Sequence, residues 1–218
     1  HRHDLGGEIL TLAGIGNSDA FEGCAALTAI ELPATLDTIA NGAFRNAGLK
    51  SVKTGDGLAK ISAEAFAGNK ALAKVVLGNN VEKIGVDAFK DCVSLKAVTL
   101  PDSLTEIQDD AFSGCTSLTE VNLPDTLTSI GGYAFGGCSS ITEIAIPASV
   151  TEIGGFAFAL CDGLTAVTLP EDLIFLGDGA FQCCTNLTGI YLGSSLLTIG
   201  SNAFESCAAL TSIVIPDT

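Results

Sequence analysis

The chain has 218 residues, a formal net charge of −15, and a hydrophobic content of 47% with only 6% aromatic residues. The negative charge disfavours nucleic acid or an anionic membrane as a partner, because both need a cationic surface that releases counterions. No apolar run approaches the roughly 18 to 20 residues that span a bilayer, so no membrane insertion by this segment is expected.

An internal repeat organises nearly the whole sequence. The dipeptide Ala-Phe occurs nine times at a spacing of 23 residues, except for a single spacing of 22 between Phe44 and Phe66. Self-similarity at a fixed period of about 20 to 50 residues is the signature of a solenoid, whose units bury their apolar faces against one another. The sequence therefore predicts one solenoid domain over residues 1–218, with an irregular start at residues 1–20.

Each repeat reads as three successive elements, clearest between residues 118 and 138. The segment LTEVNL at 118–123 alternates apolar and polar residues, which predicts a short strand. All six prolines directly follow this segment, and proline marks a strand end because it has no N–H to donate. The segment LTSI at 127–130 predicts a second extended stretch, and AFGGC at 134–138 predicts a single helical turn with Ala, Phe and Cys on one side.

Stacked repeats are expected to align equivalent side chains as ladders in one elongated core. The predicted phenylalanine ladder comprises Phe44, Phe66, Phe89, Phe112, Phe135, Phe158, Phe181 and Phe204. The predicted cysteine ladder comprises Cys92, Cys115, Cys138, Cys161, Cys184 and Cys207, with Cys24 at the equivalent position of the first repeat. Parallel Cβ vectors disfavour the disulfide torsion near 90°, so we expect buried, reduced thiols. Cys183 lies outside this ladder and is predicted to be an exposed, oxidisable thiol.

The consensus LxxI/VxLPxxLTxIGxxAFxxCxx resembles the BspA-like class of leucine-rich repeats, found in surface antigens of bacteria and surface proteins of some protists. The resemblance implies a curved, right-handed solenoid that is exported or held at a cell surface. The predicted fold class is therefore α/β, a right-handed leucine-rich-repeat solenoid with a parallel concave β-sheet and short helical turns. A right-handed parallel β-helix is the alternative, although it gives no reason for the Ala-Phe-x-x-Cys block. The lack of methionine predicts a segment of a longer protein, and the resemblance implies that this longer protein is a surface protein.

No catalytic, metal or cofactor site is predicted. The only histidines are His1 and His3, at a terminus where no Ser–His or Cys–His pair is held in place. One cysteine per repeat does not converge into the tetrahedral ligand set of zinc. Acidic pairs such as Asp109–Asp110 and Glu171–Asp172 are weak candidates for calcium and are better interpreted as solvated turn residues.

The outward face of the predicted concave sheet is the candidate binding surface. Lys50, Lys53, Lys74 and Lys96 are expected on adjacent strands, as a small cationic patch suited to an acidic glycan or an acidic protein loop. Tyr191 is expected to be an exposed aromatic anchor. The other candidates on this face are Glu120, Asn122 and Glu143. The competing interpretation is a sheet face that contacts solvent and binds no ligand.

The preferred functional prediction is a non-catalytic adhesion module that recognises a protein or glycan ligand outside the cell or at its surface. Two alternatives stay open. The regular, Thr-rich faces suit a structural spacer or stalk of a surface protein, and the reduced cysteines suit an intracellular protein–protein scaffold.

Overall fold

A computed structural model describes residues 14–215, which wind into a solenoid of about eight turns. Each turn contributes one strand to a main sheet and one to a second sheet, and then passes through the Ala-Phe turn. All paired strands are parallel, and partners in the main sheet are 22 or 23 residues apart. The predicted repeat solenoid is therefore confirmed. The predicted irregular start at residues 1–20 lies mostly outside the described residues.

The main sheet is formed by the first predicted segment of each repeat, in two blocks. The first block has the strands β2 (Ala29–Glu31), β4 (Ser51–Lys53), β6 (Lys74–Val76), β8 (Ala97–Thr99) and β10 (Glu120–Val121). The second block has β12 (Glu143–Ala145), β14 (Ala166–Thr168), β16 (Gly189–Tyr191) and β18 (Ser212–Val214). Within the described residues, β10 and β12 are the one pair of successive main-sheet strands without a ladder between them.

The LTSI-type segments are extended, as predicted, and they pair with one another to form a second sheet. Its seven strands are β5 (Lys60–Ile61), β7 (Lys83–Ile84), β9 (Glu106–Ile107), β11 (Ser129–Ile130), β13 (Glu152–Ile153), β15 (Phe175–Leu176) and β17 (Thr198–Ile199). A separate pair joins β1 (Gly14–Ile15) to β3 (Thr38–Ile39). The seven-stranded sheet runs without a break past the gap between β10 and β12.

The predicted helical turn at Ala-Phe-x-x-Cys is wrong, because no helix forms within residues 14–215. In the turn around Phe89, Asp87 and Asp91 both have a φ of 56°, which breaks the run of right-handed residues that a helix needs. The Phe89 N–H donates to the Ala111 carbonyl of the next coil at 2.8 Å instead of to a carbonyl four residues earlier. The described part of the chain contains no helix long and apolar enough to cross a membrane. Two parallel sheets without helices are features that the solenoid shares with a parallel β-helix.

The core is a row of stacked phenylalanines. Consecutive ladder rings from Phe21 to Phe204 have centroids 5.1–5.7 Å apart and planes within 2–8° of each other. The rings from Phe44 to Phe181 are fully buried, whereas Phe21, in the first described coil, is 37% exposed. Nearest-neighbour stacking therefore supplies the core contacts of each coil.

The cysteine ladder runs beside the rings. Each thiol of the predicted cysteine ladder, from Cys92 to Cys207 and without Cys183, donates to the carbonyl of the ladder phenylalanine in the preceding coil. The Sγ to O distances are 3.1–3.3 Å. Cys24 departs from the prediction because it is exposed, and Cys183 because it is half-buried. All eight cysteines are free thiols.

Candidate functional site

The main-sheet face, meaning the outward side chains on and beside the main-sheet strands, is defined by the two-residue period of a strand. In β4 the central Val52 is buried, while Ser51 and Lys53 are exposed. The strands β8, β12 and β14 show the same alternation, so each of them presents two side chains to the outside. The face is therefore a regular grid in which residues one coil apart are neighbours.

The structure brings the four predicted lysines together on this face. Lys50 and Lys96 flank Ala73 in one row, because the Ala73 N–H donates to the Lys50 carbonyl and the Lys96 N–H to the Ala73 carbonyl, at 2.9 and 3.1 Å. Lys74 lies in the next row between Ser51 and Ala97, and Lys53 pairs in register with Glu31 and Val76. All four side chains are exposed. We call these four residues the lysine patch.

The lysines of the patch differ from Arg45, Lys83 and Lys90, which form ion pairs with carboxylates. Arg45 lies among Asp19, Glu22 and Glu64, and hydrogen bonds from its guanidinium to the two glutamates raise its pKa. Lys83 and Lys90 also form ion pairs, with Glu106 and with Asp87 and Asp110. Among the described residues, no carboxylate forms an ion pair with any lysine of the patch. The charges of the patch are therefore not held in ion pairs, and the acidic residue Glu31 lies next to Lys53 on the neighbouring strand.

A depression of about 820 Å³ lies at the carboxyl ends of β2, β4 and β6, and both Lys53 and Lys74 line it. It forms where the sequence departs from the repeat. Thr54 replaces the usual ladder leucine and is buried, and its Oγ1 accepts a hydrogen bond from the Gly78 N–H at 2.8 Å. Gly55 and Gly78 replace the usual proline, and a Cβ on Gly78 would lie 2.1 Å from the Gly55 carbonyl oxygen. The absence of proline at these two positions is visible in the sequence, but the depression is visible only in the structure.

The other predicted site residues do not join the lysine patch. Glu120, Asn122 and Glu143 are exposed on both sides of the break between β10 and β12, where Asn122 and Glu143 line a smaller depression of about 360 Å³. Tyr191 lies farther along the sheet, between Thr168 and Val214, and is 44% exposed. The negative charge of Glu171 raises the pKa of the Tyr191 phenol, because it disfavours the phenolate. The predicted surface is therefore three separate groups of residues.

Groups of side chains that commonly carry catalysis or bind metals are few among residues 14–215. Both histidines lie outside that range, and no group of three or more His, Cys, Asp or Glu side chains within it is placed to hold a metal ion. The ladder thiols are poor nucleophiles, since burial raises the pKa of Cys92 and of Cys161 to about 12.

The sequence profile of the BspA type leucine rich repeat region matches residues 11–119 and 107–218, in six copies. The chain belongs to this family. As a BspA type repeat protein it is similar to a leucine-rich repeat protein from Bacteroides ovatus, with 37% identity and a TM-score of 0.68. The match covers 72% of this chain and 41% of that protein, so the chain spans less than half the length of that relative.

Two further solved structures are similar to this BspA type chain. The T. pallidum leucine rich repeat protein is 34% identical, with a TM-score of 0.70 over 74% of this chain and 78% of that one. A leucine rich cell surface protein from Faecalibacterium prausnitzii is 22% identical, with a TM-score of 0.49 over 82% of both chains. Comparison with curated proteins finds no match. Leucine-rich-repeat proteins of this kind are typically binding or structural proteins, and their solenoids are generally non-enzymatic.

Proposed function

We propose that this chain is a non-catalytic binding module of a cell-surface protein and that it holds an acidic glycan or an acidic protein loop on its main-sheet face. The observation that carries this proposal is the lysine patch, four exposed lysines on or beside three adjacent strands that form no ion pair among the described residues. Cations grouped in this way attract and orient an anionic ligand. The location at a cell surface rests on the resemblance to bacterial surface antigens.

The depression beside Lys53 and Lys74 supports the same proposal. It gives a ligand a concave place to enter, lined by the two cations Lys53 and Lys74 together with the acidic residues Glu31 and Asp56. Ser51 and Asn79 also line it and offer hydrogen-bonding groups. A sulfated or carboxylated sugar and an Asp- or Glu-rich loop both have the required chemistry.

The test compares two variants with the same change in net charge. Lys53→Glu with Lys74→Glu reverses charge inside the patch, whereas Lys60→Glu with Lys70→Glu reverses it at exposed lysines away from the patch. Binding is measured against panels of sulfated glycans, carboxylated glycans and acidic peptides at two salt concentrations. We expect the patch variant to lose binding at least tenfold and the control to stay within about twofold. Equal loss in both variants would show that general charge, and not this site, governs binding.

A structural spacer is the second candidate, favoured by the regularity of the face, on which threonines such as Thr165 and Thr188 donate to carbonyls of the preceding coil. A structural spacer should show no saturable binding to any of these glycans or peptides. Specific binding to any one of them would exclude the spacer hypothesis. A scaffold inside the cell would instead bind its protein partners under reducing conditions, and antibody labelling of intact cells separates it from a surface protein.

A further inference from the structure

The Ala-Phe turns carry a second unusual surface. Two residues before each ladder phenylalanine, the described coils place a residue with φ between 52° and 64°. Glycine, aspartate and asparagine suit this left-handed conformation, and six of the nine positions hold one of them: Asp19, Gly42, Asp87, Asp110, Gly179 and Asn202. Tyr133 and Phe156 are bulky exceptions, at 52° and 58°. Leu160, two residues after its ladder phenylalanine, is another at 59°.

Burial in the core does not explain why these three large side chains are present. Tyr133 is 42% exposed, Leu160 is 54% exposed, and Phe156 is half-buried. The Tyr133 and Phe156 rings stack with centroids 4.8 Å apart and lie over glycines, since a Cβ on Gly136 would be 3.0 Å from Tyr133 and one on Gly179 would be 2.3 Å from Phe156. The fold thus carries strained, exposed side chains where smaller residues would serve, a pattern that is typical of functional surfaces. We call Tyr133, Phe156 and Leu160 the aromatic turn patch.

Acidic residues border the patch along the solenoid axis. Asp109 lies on one side, where its Oδ1 accepts a hydrogen bond from the Gly132 N–H at 2.6 Å, and Asp178 lies on the other, where its carbonyl accepts from the Phe156 N–H at 2.7 Å. Beside the patch is a shallow depression of about 250 Å³, lined by the carboxylates of Glu106, Asp109 and Glu152, by glycines, and by the exposed Phe175. From Ala97 to Thr218 the sequence has no Lys or Arg. Glu106 is paired with Lys83, whereas Asp109, Glu152 and Asp178 form no ion pair among the described residues, so unpaired negative charge borders the patch.

We infer that the aromatic turn patch is a docking surface for a basic polypeptide segment. Arginine or lysine side chains of the partner pack against the exposed parts of the stacked Tyr133 and Phe156 rings, their charges are balanced by Asp109 and Asp178, and their apolar stems extend towards Leu160. The charge decides the occupant, since aromatic rings bordered by carboxylates attract cations and repel an acidic ligand. This surface is separate from the lysine patch and does not depend on the proposed function.

The test uses the whole chain and a synthetic peptide with four arginines spaced by Gly and Ser, compared with a peptide in which glutamates replace the arginines. The protein has two tyrosines, so ¹³C-labelled tyrosine gives two sets of NMR signals. We expect the arginine peptide to shift Tyr133 and to leave Tyr191, on the main-sheet face, unchanged. The glutamate peptide should shift neither Tyr133 nor its neighbours.

Two sets of variants separate binding from folding. Tyr133→Asn with Phe156→Asn uses the residue that Asn202 places at the same position, so folding is retained and arginine-peptide affinity falls at least tenfold, whereas Tyr191→Asn leaves it unchanged. Asp109→Asn with Asp178→Asn keeps the side-chain acceptors, so affinity falls about five- to tenfold and depends less on salt. Unchanged affinity in the aromatic variant, equal binding of the glutamate peptide, or self-association that this variant abolishes would each overturn the inference.

Discussion

The backbone N–H of Leu49 donates to Oδ1 of Asn69, in the next coil, at 3.3 Å. In other coils the equivalent leucine donates to the carbonyl of its own ladder residue, as Leu95 does to Cys92 at 2.9 Å. The coil that contains Phe44 is one residue shorter, and this carbonyl is not the acceptor there. Asn69 is fully buried and replaces the usual ladder cysteine, so its amide satisfies the N–H that the shortened coil leaves open.

The stability of Asn69 variants should follow the number of hydrogen bonds that each variant retains. Its Nδ2 also donates to the carbonyls of Phe44 and Phe66, at 2.7 and 2.8 Å. We expect Asn69→Ala to lower the free energy of unfolding by about 2 to 3 kcal/mol, because the Leu49 N–H is left buried and unpaired. Asn69→Cys should cost less, since its thiol keeps one donor to Phe44. Chemical denaturation gives the ranking, and a cysteine variant as stable as the native chain would contradict this account.

The sequence predicts the parts of this solenoid that depend on side-chain identity repeated at a fixed period. The main-sheet strands, the ladder of Phe135 and its neighbours, and the grouping of the lysines all follow from spacing and alternation. The turn conformation does not, because it depends on hydrogen bonds between coils that allow even Tyr133 and Phe156 a positive φ. The hydrogen bond between Leu49 and Asn69 could not be predicted either. The sequence shows a shortened repeat and, in the next repeat, an asparagine in place of cysteine, but it does not show that the two departures are in contact.

The phenylalanine ladder predicts a large stability difference between internal and terminal positions. Phe135 is fully buried between Phe112 and Phe158, so Phe135→Ala should cost about 3 to 5 kcal/mol through the cavity that it leaves. Phe21 has one described ring neighbour and is 37% exposed, so Phe21→Ala should cost clearly less. Urea denaturation of both variants provides the measurement. Equal losses would mean that the rings do not act as one buried row.

The buried thiols predict a loss of stability at alkaline pH. Burial raises the pKa of Cys92 and Cys161 to about 12, and raises those of Cys115 and Cys138 well above the usual value of 9.0. Above about pH 9 the unfolded chain loses these protons while the folded chain keeps them, so the free energy of unfolding falls as pH rises from about 9 towards 12. Each thiol contributes a slope of about 1.4 kcal/mol per pH unit.

The matched control for this pH dependence is Cys138→Ala. This variant is less stable because a cavity remains. Its free energy of unfolding should nevertheless fall less steeply between pH 9 and 11, by the contribution of one thiol, which is roughly 1.4 kcal/mol per pH unit. Denaturation of the native chain and of Cys138→Ala under reducing conditions across this range measures both slopes, and identical slopes would exclude buried thiols as the cause.

The most direct test of the stacked solenoid is a set of distances between spin labels on one row of the main-sheet face. In a background without Cys24 and Cys183, labels are placed at Glu31 and, in turn, at Thr99, Thr168 or Val214, which lie three, six and eight coils away. Coils that advance by about 4.8 Å each predict Cα separations of about 14, 29 and 38 Å, shortened at most modestly by curvature. Distances that increase steadily in this order support the account, whereas distances that do not increase with coil number would contradict it.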